Sequence, residues 1–279
     1  MQVLRRAIVS ALFGTLMCAA GCGIVPPEAT LLDPAVRKPT ELQAQRGLVW
    51  LFPGIVGVPW ELGPAYRGLC AAGLDKEVRF FEWDIPAPDF FAHLTRYAAN
   101  EESAAEVADQ IAEYHRRYPE QPIDLVGYSA GGFLAVLIVE ALPPDVHVHN
   151  VVLAQPAISP TYDLTPALER IDAKLVNFYC ARDWLLSGLF AFVFGTMDRE
   201  HTASAGLLGF NLDVAAPDPE LRSKVEEIAW SPVMAKYGHP GNHMGILDDR
   251  WNKYCIAPYV VAPESLLIDP PLGKVAAAE

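Results

Sequence analysis

The stretch "VGYSAGG", residues 126–132, decides how this chain is read. An apolar run, "IDLVGY" at 123–128, leads into it, and another, "GGFLAVLIVEAL" at 131–142, leads out. The first is short and, apart from Asp124, apolar, and reads as a strand; the second is long enough for a buried helix and stops at Pro143 and Pro144. Ser129 therefore falls where a strand turns into a helix, between Gly127 and Gly131 in a G-x-S-x-G pattern. In so tight a turn a Cβ on either glycine would collide with neighbouring backbone. The serine between them is pushed above the sheet edge, beside a helix N-terminus that favours negative charge.

Outward from this point the same alternation continues. "GLVWLF" (47–52), stopped by Pro53 and Gly54, and "VRFFEWD" (78–84), halted by "IPAP", read as strands, with "GPAYRGLCAAGL" (63–74) between them as a helix ending near Gly73. Residues 103–118 place Ala104, Val107, Ala108, Ile111, Tyr114 and Tyr118 at a helical period, with Ser103 and Glu106 as a capping box and Pro119 closing the segment. "HNVVLAQP" (149–156) and "AKLVNFYC" (173–180) are two further strands. Strands alternating with helices predict an α/β fold: a mostly parallel sheet with helices on both faces. The 279 residues, 52% hydrophobic and 20% charged, suit one large domain. A net charge of −13 without any Lys/Arg block argues against nucleic acid as a partner.

The N-terminus, "MQVLRRAIVSALFGTLMCAAGC", is basic at Arg5 and Arg6 and then apolar over residues 7–20. That run is shorter than the about 20 residues a bilayer-spanning helix needs, and reads as a secretion signal. Its end, "AAGC", resembles the bacterial lipoprotein signal. The resemblance implies cleavage before Cys22, lipidation of Cys22 as a membrane anchor, and, with Gly23 following it, a place in the cell envelope on the periplasmic side of the outer membrane. The expected organisation is a signal peptide at 1–21, a Pro-rich and polar tether at 22–46, the folded domain at 47–262 and a tail at 263–279. An oxidising compartment would permit one disulfide among Cys70, Cys180 and Cys255, and their scattered spacing argues against a zinc site.

The strand, G-x-S-x-G turn and helix together resemble the α/β-hydrolase superfamily in its esterase and lipase branch, over roughly residues 47–259. The resemblance implies Ser129 as nucleophile, followed along the chain by an acid and then a histidine. His243, in the Gly/Asn loop "GHPGNHMGIL" (238–247), matches by position, with His239 as the alternative; His147 and His149 precede the best acid. For the acid, Asp183 lies just past a strand in "KLVNFYCARDWLLSG" (174–188), with Asp163 as the alternative. An oxyanion hole is expected from the backbone N–H of Ala130 and that of Ile55, or else Val56. The chain carries Pro53-Gly54 where the family has a His-Gly loop; backbone donors do not depend on that side chain.

These residues imply cleavage of small-molecule or lipid esters through an acyl-enzyme, without metal or organic cofactor. The same set serves a thioesterase or acyltransferase, and a non-catalytic lipoprotein using the fold as a binding module is the competing class. Between Asp183 and His243 the apolar stretches "WLLSGLFAFVFG" (184–195) and "SAGLLGF" (204–210) fit either a lid or acyl-binding wall, or a core helix with a loop.

Overall fold

The computed structural model describes residues 38–55, 59–83 and 97–268; the leader and Cys22 lie outside them. Six strands, β1 (Leu48–Phe52), β2 (Glu77–Phe80), β3 (Ile123–Tyr128), β4 (Val148–Ala154), β5 (Ile171–Tyr179) and β6 (Val225–Ala229), form one sheet in the order β2-β1-β3-β4-β5-β6. Every neighbouring pair is parallel. The longer helices are α2 (Gly63–Ala71), α3 (Tyr97–Arg117) and α4 (Ala130–Glu140), preceded by a single turn, α1 (Glu41–Ala44). The architecture is thus the α/β class that the alternation predicts.

Both faces of the sheet are covered, which is why its inner strands are apolar throughout. Along β1, Leu48, Trp50 and Phe52 enter the core shared with α3 and α4, while Val49 and Leu51 enter the one shared with α2, Trp251, Ile256 and Val260. Each large side chain so buried contributes about 1.5–3 kcal/mol. Helix α4 is buried at every position from Ala130 to Val139, being packed against β3 on one side and α3 on the other. At the amino ends of the strands, Lys76 and Asp124 form a buried ion pair of 2.7 Å, and Asp124 also accepts the Asn150 N–H and faces His149 Nδ1 at 3.2 Å. His149 is therefore at the opposite end of the sheet from Ser129.

Three boundaries differ from the sequence expectation. Helix α3 already includes Tyr97, so Ser103 and Glu106 lie inside it and do not cap it; the Tyr97 ring packs on Phe133 at 5.9 Å, carrying the apolar face upstream. Residues 40–46, expected to end the tether, are part of the folded domain. Thr40 and Gln43 form a capping box for α1, Tyr114 O–H donates to Ala44 C=O at 2.6 Å, and Arg46 pairs with Asp75. The start of the expected tail is docked too, with Leu267 N–H donating to Ala72 C=O at 2.8 Å. Cys180 and Cys255 are buried thiols, and no disulfide joins them to each other or to Cys70.

The loops that follow β1, β3, β5 and β6 carry Ile55, Ser129, Asp183 and His243 in turn. All four leave the carboxyl edge of the sheet, and β1 and β3 flank the place where strand order reverses, the usual location of a ligand crevice in such sheets.

Candidate functional site

Ser129 stands between β3 and α4 with φ 52° and ψ −117°, a conformation that L-residues rarely adopt. Its backbone is held on both sides: the N–H donates to Ala154 C=O, and its C=O accepts from Gly132 and Ala157, each at 3.0 Å. The flanking glycines are required by close approach. A Cβ on Gly127 would lie 2.6 Å from Gly132 Cα, and one on Gly131 would lie 2.5 Å from Phe52 O and collide with Pro53 O. A strained serine of this kind costs of order 1–3 kcal/mol and persists only because its surroundings over-determine it.

His243 begins the short helical turn His243–Leu247, capped by Asn242, whose side chain accepts the Met244 N–H at 3.1 Å. Tyr128, the residue before Ser129, donates its O–H to His243 C=O at 3.0 Å, and the two rings lie 5.2 Å apart. The structure brings Ser129, His243 and Asp183 together: Nε2 of His243 is 3.0 Å from Ser129 Oγ, and Nδ1 is 2.6 Å from Asp183 Oδ2. The acid is 4% exposed. With a carboxylate at Nδ1, the neutral imidazole carries its proton there and leaves Nε2 free to accept from the serine.

Two residues at this centre escape sequence reading. Gln155 Nε2 donates to Asp183 Oδ2 at 3.0 Å, and Ser187 Oγ donates to the same oxygen while lying 3.4 Å from His243 Nδ1. One carboxylate oxygen thus receives three donors, which fixes its direction. Gln155 has φ 47° and its N–H donates to Phe178 C=O at 2.8 Å; Gly206 allows the close backbone approach, since a Cβ there would lie 2.5 Å from Gln155 C. Ser187 had a signal of a kind, standing four residues after Asp183 on a helical segment, so that both share one face.

The alternatives are engaged elsewhere. His239 is buried, its Nδ1 accepts the Gly241 N–H at 3.2 Å and its C=O accepts Trp230 Nε1–H at 2.9 Å; burial pushes its pKa down to about 4. Asp163 accepts the Thr165 N–H at 3.0 Å on the surface. The segment 184–194 is helical and buries Ser187, but Trp184 (62% exposed), Leu189, Phe192 and Val193 face outward, so it is not a core helix.

On the other side of Ser129, Ala130 is the first residue of α4, and its N–H has no acceptor within the helix. Ile55 occupies a half-buried turn after β1, and Val56 lies outside the described residues. Beside this loop Glu61 is buried, its Oε2 3.5 Å from where a Cβ on Gly54 would stand and without a partner among the described residues.

Burial pushes Glu61 up to about 8, and Glu140 and Glu227 up to about 7, from the usual 4.5. The folded state therefore holds protons on these groups that the unfolded chain has lost. Their contribution to stability is fully present below pH 4.5 and is lost as pH rises through 7 to 8. His239, lowered from 6.5, acts in the opposite direction only below that value. The urea midpoint should fall between about pH 6.5 and 8, Glu61 alone accounting for about 2 kcal/mol, and Glu61→Gln should flatten the slope. A midpoint that rises or stays level across this range contradicts the assignment.

No family model matches the chain, and no curated protein matches it. Among solved structures it is similar to lipase B of Aspergillus fumigatus, with a TM-score of 0.50 and 14% identity over 90% of this chain and 62% of that one, so it spans less than two thirds of that lipase. It is also similar to the NocB thioesterase domain from the nocardicin cluster, with a TM-score of 0.37 and 12% identity over 77% of this chain and 94% of that one. Six parallel strands with helices on both faces, together with the likeness to the lipase, give this chain the α/β-hydrolase fold.

Proposed function

We propose that this chain is a serine hydrolase acting on carboxylic esters through an acyl-enzyme. The observation that carries the reading is the unbroken series of hydrogen bonds from Ser129 through His243 to Asp183, at the carboxyl edge of the sheet. A serine hydroxyl in water is a poor nucleophile. Here Ser129 gives its proton to His243 Nε2 as Oγ attacks the ester carbonyl; Asp183 accepts the Nδ1–H bond, holds the tautomer and stabilises the imidazolium. The tetrahedral oxyanion is received by the N–H groups of Ala130 and Ile55, aided by the amino end of α4. The imidazolium then protonates the leaving alkoxide, the C–O bond breaks, and the alcohol departs. Water, deprotonated by the same imidazole, attacks the acyl-enzyme and releases the acid.

A fluorophosphonate probe tests this reading directly. The expected result is a covalent adduct on Ser129, absent in Ser129→Ala, together with turnover of p-nitrophenyl acetate. A folded wild-type chain that is neither labelled nor active would favour the binding-module reading.

A further inference from the structure

The loop after β1 is held from outside itself. Gly54 C=O accepts the Trp83 Nε1–H at 3.1 Å. The C=O of Gly54 and the N–H of Ile55 belong to a single planar trans peptide and point in opposite directions, so whatever holds the oxygen also aims the hydrogen. Trp83 is a steady anchor. It is buried, packs edge-on against Phe81 at 5.1 Å, and Phe81 in turn donates its N–H to Leu51 C=O at 2.9 Å and packs on Phe52 at 5.8 Å. The Tyr128 ring closes the third side, since a Cβ on Gly54 would lie 3.0 Å from Tyr128 Cε1. Tyr128 is also the residue that holds His243 C=O.

We propose that Trp83 clamps the Gly54 C=O and thereby aims the Ile55 N–H at the oxyanion. Trp83 is a positioning residue, and the inference rests on the hydrolase reading above. It does not touch substrate; it fixes the rotation of the donor peptide. The glycine is needed because the Tyr128 ring crowds any side chain placed there.

One variant isolates the clamp. Trp83→Phe keeps an aromatic ring and removes the donor. With p-nitrophenyl acetate, Trp83→Phe should lower kcat by about 10- to 100-fold, short of the roughly 100- to 1,000-fold that losing a donor outright costs, with KM within about 2-fold. Affinity for a trifluoromethyl ketone, which adds Ser129 as a tetrahedral oxyanion, should fall by the same factor as kcat, a link that a merely structural role would not produce. If Trp83→Phe does not fold, β-(3-benzothienyl)alanine at position 83 replaces only the N–H by sulfur, and its kcat decides. Wild-type kcat in a folded position-83 variant, or unchanged ketone affinity, overturns the clamp while leaving the hydrolase reading intact. A wild-type chain inert to the fluorophosphonate overturns the reading itself.

Discussion

Replacing His243 with alanine is expected to lower kcat by about a million-fold, as losing the base does where nucleophile and base act as a unit. The reason is geometric. Its Nε2 lies 3.0 Å from Ser129 Oγ, and His239, four residues earlier in the same loop, cannot take over. The Nδ1 of His239 is occupied by the Gly241 N–H, its ring is wedged against Gly245, and its backbone carbonyl is tied to Trp230. The fold should survive, because the His243 backbone keeps its bond from Tyr128 whatever side chain it carries. Steady-state rates at saturating ester, with thermal melting as the control for folding, check this. Activity within an order of magnitude of wild type would mean that the proton goes elsewhere.

Asp183→Asn should cost about 10,000-fold in kcat with little change in volume or melting temperature. His243 Nδ1, Gln155 Nε2 and Ser187 Oγ all meet the one oxygen Oδ2. An amide with its oxygen there keeps the three bonds but carries no charge to stabilise the imidazolium. An amide with its nitrogen there donates to His243 Nδ1 and locks the imidazole in the tautomer with its proton on Nε2, facing Ser129, where it can no longer accept. Kinetics at constant temperature, with KM tracked separately, distinguish this from a binding defect. A loss smaller than about 10-fold would mean that Asp183 does not support the histidine.

The sequence displays best what is buried on two sides. Strands β1 and β3 stand out because every residue in them is buried, and α4 because it is apolar all round. Strand β6 is hidden, since Val225–Ala229 lies at the edge with Glu226 and Glu227 half-buried and only Ile228 fully so, and it has no apolar run to show. At the candidate site, Ser129, Asp183 and His243 each sit in a local context that marks them: a glycine turn, a strand end, a Gly/Asn loop. Gln155 and Trp83 carry no such mark. Gln155 reaches Asp183 across 28 residues and Trp83 reaches Gly54 across 29, contacts that exist only once the sheet has set the register. The capping box at Ser103 shows the converse error, a sound local signal overridden by a ring packing one helix away.

The edge position of β6 bears on durability. The loop after it carries His243, whereas Ser129 follows an inner strand paired on both sides, and the bond between them spans 114 residues. Edge strands with partly solvated backbone open at lower free energy than the centre of a sheet. The bond between Ser129 and His243 therefore joins an inner strand to an edge strand, and its lifetime is governed by the weaker of the two.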